Sequence, residues 1–103
     1  MTQTLFHVTP RRFVHSILEY GIMVECAKGK TRGVWLCDAG RLPWAVLHIA
    51  AHQGVRECDL SILHVNVNGL ALRTIRKGVY VSNVDIATTR LFDVIYFATG
   101  EPE

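Results

Sequence analysis

The stretch Leu60–Val67 constrains the fold most, because its residues are strongly β-forming and alternate as they do in a half-buried strand. Side chains of a strand alternate between the two faces of a sheet. One face is therefore predicted to carry Ser61, Leu63, Val65 and Val67, and the other Leu60, Ile62, His64 and Asn66. Further strand-like stretches follow at 78–82 and 92–98, whereas the helical patterns all precede Gly54. Early helices and late strands predict an α+β domain whose strands are mostly antiparallel.

Length and composition predict a single domain, 1–103, because half of the 103 residues are hydrophobic and a chain of this size supports one core. There is no apolar run of about 18 residues, so no membrane span is expected. No basic segment followed by an apolar one marks a secretion signal. The three cysteines lack C-x-x-C spacing and match neither a disulfide framework nor a zinc ribbon. A reducing, cytoplasmic location is expected.

The N-terminal segment predicts a strand that leads directly into a helix. The strand is expected at Leu5–Val8. Thr9 then has the residue type of an N-cap, and Pro10 suits the first helical position. The helix is expected to run to Tyr20, where Gly21 ends it.

A second strand is predicted at Val34–Cys37, and a second helix runs from Pro43 or Trp44 to Gln53, where Gly54 ends it. This helix is apolar on nearly every side. It is therefore expected to pack on more than one side.

His7 is the most informative candidate for chemistry, because it is a polar residue in an apolar strand. It stands two residues before Thr9, so both side chains point to the same face. The helix that follows offers free backbone N–H groups, which suit an anion such as a pyrophosphate. A polar residue satisfied by its neighbours is the simpler interpretation of His7.

Four other side chains admit both a structural and a functional interpretation. Trp35 either packs in the core or offers a platform for a flat ring. Cys37 is either an inert buried thiol or a reactive one. His48 and His52 have the i, i+4 spacing of a metal-binding pair, but no third ligand is placed by spacing, so a structural or ligand-facing role is favoured.

The formal net charge of +2 is too small to indicate nucleic-acid binding by itself. The basic residues nevertheless cluster in two predicted loops, one with Lys28, Lys30 and Arg32 and the other with Arg73, Arg76 and Lys77. They are either ordinary solvated loops or two basic lips beside a pocket for a phosphorylated ligand. A nucleic-acid binder that uses these lips is a separate hypothesis.

The order of three short segments resembles the ADP-ribosyltransferase superfamily. The segments are Phe6-His7-Val8-Thr9, a helix ending in Tyr20-Gly21-Ile22, and Gly33-Val34-Trp35-Leu36. The later segment Lys77–Ile86 is similar to the closing part of the RNA 2′-phosphotransferases, a branch of that superfamily. The resemblance covers about residues 5–90. It implies an ADP-ribosyltransferase-like fold of two small, mostly antiparallel sheets with two helices.

The resemblance also implies NAD as the cofactor and assigns residues to it. His7, Val8 and Thr9 would hold the nicotinamide ribose, and Trp35 would stack on the nicotinamide. One of Arg11, Arg12 or Arg32 would contact a phosphate. Of these three, Arg12 and Arg32 are included in the predicted cofactor-binding set. The catalytic set is expected to comprise His7 with Tyr80 and Asp85, where Ser82 is an alternative, and no metal is expected.

The late strand departs from the family pattern, because Gly78, Val79 and Tyr80 stand where many relatives carry a Glu. Two hypotheses follow. The first is an NAD-dependent ADP-ribosyltransferase-like enzyme that modifies a protein or nucleic-acid acceptor, phosphate groups among the acceptors. The second is a catalytically degraded module that inhibits or regulates a partner protein or nucleic acid.

Overall fold

A computed structural model of the protein describes residues 3–24 and 33–96. They form an α+β domain of six strands and two helices. The strands are β1 Thr4–Pro10, β2 Val34–Cys37, β3 Leu60–Asn66, β4 Leu72–Arg76, β5 Val79–Ser82 and β6 Leu91–Tyr96, and the helices are α1 Val14–Tyr20 and α2 Leu42–Gln53.

The strands form one antiparallel sheet in the order β4-β5-β2-β1-β3-β6, where two small sheets had been expected. The expectation of two sheets is corrected by one contact, because Phe6 on β1 pairs with Cys37 on β2. That is the single register pair between these two strands, whereas β1 and β3 share seven. The sheet is therefore continuous, but its two three-stranded halves meet at one point.

The two faces of the sheet carry separate apolar clusters, as the alternation along β3 predicts. The cluster beneath α1 contains Leu63 and Val65 of β3 with Val34 and Leu36 of β2, and Ile17 of α1 packs against it. The cluster beneath α2 contains the alternate residues Val8, Cys37, Leu60 and Ile62, together with Ala45 and Ala50 of the helix. Each helix thus covers one face, and the sheet lies between them.

The expected N-cap at Thr9 is wrong, because β1 continues through Pro10, which pairs with Leu60. A short 3-10 turn, Arg11–Phe13, separates this strand from α1, and no side chain caps it. Proline has no backbone N–H and is tolerated where a strand lacks a neighbour on one side. The Pro10 end of β1 has β3 beside it but no register pair with β2, so the strand can extend further than predicted.

Two other expectations differ from the structure. Arg73 and Arg76, assigned to a loop, belong to the edge strand β4, whose residues 73–76 are all exposed and so give no apolar signal. Helix α2 does not pack on more than one side, because Leu47 remains 61% exposed on the side away from the sheet. In the described part of the chain, neither helix is long and apolar enough to cross a membrane.

Candidate functional site

A pocket of about 400 Å³ lies at the end of the sheet where β1 and β2 no longer pair. From the strands it is lined by His7, Val8, Thr9 and Pro10 of β1 and by Gly33, Val34 and Trp35 at the start of β2. One side of the pocket is lined by Phe13 of the 3-10 turn with Ser16 and Ile17 of α1. The other side is lined by Ile49, His52 and Gln53 of α2, and residues 21–23 complete the wall. The gap in the ladder is thus the place where a ligand could enter the sheet.

His7 bridges this gap with its side chain. Its Nδ1 lies 2.9 Å from the backbone carbonyl oxygen of Trp35. A carbonyl oxygen only accepts, so Nδ1 carries the proton and donates it. In the neutral ring Nε2 then keeps a lone pair, and no described residue hydrogen-bonds to it. His7 therefore contributes a hydrogen-bond acceptor of fixed orientation.

The charge state of His7 follows from its surroundings. Burial lowers the pKa of the imidazole from its usual 6.5, and the hydrogen bond to the Trp35 carbonyl offsets part of that effect. The ring is therefore neutral at pH 7. A neutral imidazole can accept a hydrogen bond from a hydroxyl group, as a ribose would require.

Trp35 and His7 line the same pocket, as the resemblance requires, although alternation assigns them to different faces of the sheet. Val34 and Leu36 pack beneath α1, so the side chain of Trp35 belongs to the α2 face, where its neighbour Cys37 packs. His7 alternates with Val8 of the α2 cluster and so belongs to the α1 face. Since the strands separate here, both faces open into one cavity.

Thr9 and Gly21 shape the walls beside His7. Thr9 lies on the same face as His7, as predicted, and lines the pocket. Gly21 ends α1 with a positive φ of 86°, and a Cβ there would collide with the carbonyl oxygen of Ile86. The chain can therefore turn closely enough for Ile22 to exchange two backbone hydrogen bonds with Ile86. This bridge holds the wall formed by residues 21–23.

The structure does not bring the other two predicted catalytic residues to the pocket. Tyr80 is half-buried on β5, opposite Leu36, and is absent from the described lining. Asp85 accepts a hydrogen bond from the Val24 N–H at 2.8 Å, which ties down the segment after α1. The alternative Ser82 is fully buried, and its hydroxyl donates to the Val84 carbonyl. Their catalytic role stays a prediction that this geometry does not support.

The predicted phosphate-binding arginines are placed only in part. Arg12 is exposed and does not line the pocket, but its guanidinium lies 4.9 Å from the ring centre of Phe13, which does. Arg32 lies outside the described residues, as do the other basic residues of its segment, Lys28 and Lys30. The described lining contains neither arginine nor lysine.

The histidine pair of α2 belongs to a column of stacked planar groups. The Trp44 and His48 rings are 4.9 Å apart and nearly parallel, at 16°. The His48 and His52 rings are 6.2 Å apart at 8°, and the Arg76 guanidinium lies 5.4 Å from the Trp44 ring centre. Among the described residues, no three or more His, Cys, Asp and Glu side chains gather as metal ligands. The structure thus places both imidazoles in a column of rings, and the structural or ligand-facing role expected of His48 stays a prediction.

Cys37 fits the interpretation of an inert buried thiol. It is buried in the cluster beneath α2. Burial raises its pKa to about 11, and the nearby charge of Asp38 acts in the same direction. The thiolate is the reactive species, so this cysteine is poorly suited to be a nucleophile.

Sequence reasoning missed the contribution of α2 to the pocket. Ile49 and Gln53 are four residues apart and therefore lie on one side of the helix, with His52 beside them. This spacing is visible in the sequence, but it does not show that the helix returns to β1. No protein-family model matches the chain, and no curated protein matches its sequence.

Proposed function

We propose that the protein is an NAD-dependent ADP-ribosyltransferase-like enzyme, related to the RNA 2′-phosphotransferase branch, that acts on a phosphate-bearing macromolecular acceptor. The observation that carries the proposal is the convergence of His7, Thr9 and Trp35 on one pocket. These are the residues that the resemblance assigns to the nicotinamide riboside.

The residues present suit the nicotinamide riboside half of NAD. The Nε2 of neutral His7, to which no described residue hydrogen-bonds, can accept a hydrogen bond from a ribose hydroxyl, because Nδ1 donates to the Trp35 carbonyl. The indole of Trp35 can stack on the flat nicotinamide ring. Phe13, Ile17 and Ile49 add apolar surface to the walls, and polar contacts are stronger beside apolar surface than in bulk water.

The reaction would transfer the ADP-ribose part of NAD. The bond between the nicotinamide nitrogen and ribose C1′ breaks, its electron pair leaves with neutral nicotinamide, and the ribose gains oxocarbenium character. An acceptor oxygen then bonds to C1′. A phosphate oxygen is already anionic and needs no general base, whereas a hydroxyl acceptor benefits from one. The described lining holds no carboxylate, which favours the phosphate acceptor.

Binding is tested first, by calorimetry with NAD on the wild type, on His7→Ala and on a matched control. His15 lies exposed on α1 and does not line the pocket, so His15→Ala removes an imidazole without touching the site. We expect His7→Ala to weaken NAD binding by about tenfold or more, corresponding to ~1.4 kcal/mol or more. His15→Ala should bind like the wild type. No binding by the wild type at millimolar NAD would end the proposal.

Turnover is tested by the release of nicotinamide from NAD in the presence of an oligonucleotide with a terminal phosphate. The same oligonucleotide without the phosphate is the control acceptor. Release that depends on the phosphate and disappears in His7→Ala is the expected result. Release that is equal with both acceptors would contradict the phosphate preference.

A non-catalytic binding module is the second candidate, and the position of Tyr80 and Asp85 outside the described lining favours it. Such a module would use the same fold to inhibit or regulate a partner. It would bind NAD without releasing nicotinamide, or bind a partner equally well with and without NAD. A stable complex that also tolerates His7→Ala would replace the enzymatic proposal.

A further inference from the structure

The last turn of α2 presents two polar side chains to the pocket that the proposed chemistry leaves unused. His52 and Gln53 are both in the lining, on the opposite side from α1. Gly54 caps the helix in a left-handed conformation, with φ of 66°, so α2 stops immediately after them. They are therefore held on a regular helix rather than on a loop.

His52 is the last ring in the column of planar groups on α2, after Trp44 and His48. Its ring is nearly parallel to that of His48, with the ring centres 6.2 Å apart. His48 stacks in turn on Trp44, and the Arg76 guanidinium lies 5.4 Å from the Trp44 ring centre. Of these four groups only His52 is in the described lining of the pocket. A planar heterocycle inside the pocket can therefore continue the column, and each ring behind His52 helps to hold the imidazole in a stacking orientation.

Gln53 adds a means of recognising the edge of such a ring. Within residues 3–24 and 33–96, its carboxamide has no hydrogen-bond partner. A glutamine carboxamide offers one donor and one acceptor side by side, which matches the N6 and N7 edge of adenine. The Gln53 carboxamide is half-buried beside the apolar side chain of Ile49. A hydrogen bond from a ligand to this amide would therefore be favourable.

The part of the lining that α2 contributes combines an apolar surface with two polar side chains, which suits a base. The described lining holds neither arginine nor lysine, and Ile49 supplies an apolar surface. NAD carries two heterocycles, and the proposed function assigns the nicotinamide to Trp35. The second heterocycle is then available to the last turn of α2.

We infer that His52 and Gln53 form the adenine subsite of the dinucleotide pocket, with His52 as the stacking partner and Gln53 as the residue that distinguishes adenine from other bases. This inference rests on the proposed function, because it requires NAD in the pocket. It makes both residues determinants of ligand specificity, and neither takes part in bond breaking.

The test compares the affinities of three ligands for the full chain by calorimetry. The ligands are NAD, nicotinamide mononucleotide, which has no adenine, and nicotinamide hypoxanthine dinucleotide, whose base has a carbonyl in place of the N6 amino group. The variants are His52→Leu, His52→Phe and Gln53→Met, with His15→Leu as the matched control. Unfolding curves verify that each variant is folded, which the exposure of His52 favours.

We expect His52→Leu to weaken NAD about tenfold, while His52→Phe keeps most of the affinity because a phenyl ring still stacks. Gln53→Met should bind NAD and the hypoxanthine dinucleotide equally, whereas the wild type prefers NAD about tenfold or more. Nicotinamide mononucleotide should bind all variants alike.

Three outcomes would overturn the inference. If His52→Leu and Gln53→Met bind NAD like the wild type while His7→Ala does not, the subsite is wrong and the proposed function stands. If His52→Leu also weakens nicotinamide mononucleotide, the ring stacks on nicotinamide and not on adenine. If the wild type binds none of the three ligands, the proposed function and the subsite fail together.

Discussion

The two sides of β1 differ, because one contributes to the core and the other to the pocket. Toward β3 it forms a ladder of seven consecutive pairs, from Thr4–Asn66 to Pro10–Leu60. Toward β2 it forms one pair, Phe6–Cys37, and beyond it a side chain crosses the gap. We call the side toward β3 the closed side and the side toward β2 the open side. The closed side contributes to the core, and the open side borders the pocket.

The difference arises from what lies opposite each residue of β1. His7 faces Leu63 across the closed side, and Leu63 is fully buried in the cluster beneath α1. On the open side the Trp35 carbonyl receives the His7 imidazole instead of a strand N–H. Backbone groups left without a ladder must find other partners, and here a histidine side chain meets that need. A pocket can therefore open between two neighbouring strands without leaving this carbonyl unpaired.

The largest expected effect is on the closed side. Replacement of Leu63, which is 0% exposed, by alanine should lower the free energy of unfolding by about 2–5 kcal/mol, because it leaves a cavity in the cluster beneath α1. Leu47→Ala is the control, since Leu47 is 61% exposed, and should change stability by less than about 0.5 kcal/mol. Urea unfolding measures both. If Leu63→Ala and Leu47→Ala lowered the free energy of unfolding equally, the closed side would not be the main source of stability.

A smaller effect is expected at Gly33, on the open side. This residue precedes β2 with a φ of 141°, and a Cβ there would meet the Val81 side chain and lie 2.9 Å from the Ser82 carbonyl oxygen. Gly33→Ala should cost about 1–3 kcal/mol. Gly69 also has a positive φ but has open space around its Cβ position, so Gly69→Ala should cost less. A Gly33→Ala variant as stable as the wild type would show that β2 can move away from β5 at this point.

The smallest effect concerns pH and the His7 bridge. The folded protein lowers the pKa of His7, so the unfolded chain takes up a proton below pH 6.5 before the folded protein does. This contribution to stability is present at pH 7 and is lost as the pH falls from about 6.5 toward the lower pKa of the folded state. Chemical unfolding at pH 7 and pH 5.5 should show a smaller loss in His7→Gln than in the wild type. An identical loss in both proteins would mean that His7 is not the titrating group.

Local patterns in the sequence predicted the elements whose signals are strong. Val34–Cys37 and the ends of both helices at Gly21 and Gly54 were predicted correctly, because apolar runs and glycine stops act locally. The faces of β3 followed from alternation. Strand β4 was missed because an exposed edge strand with two arginines has no apolar face to detect.

The candidate site was predictable where it depended on one strand and not where it depended on the packing of distant elements. His7 and Thr9 share a face by alternation, so their presence in one pocket could be expected. Nothing in the sequence showed that Gln53 lies across from them, or that Asp85 is held by Val24, because both facts depend on how the chain returns to β1 and α1. The single pair that joins the sheet halves is likewise a tertiary property.

The unfilled ladder between β1 and β2 also has an evolutionary consequence. Any substitution that brings Val8 and Trp35 into backbone pairing would add hydrogen bonds and raise stability, but it would close the cavity between them. Higher thermal stability and an open cavity are therefore opposed at this gap between β1 and β2. If selection acted on stability alone, this gap is where we expect the two halves of the sheet to form further backbone pairs.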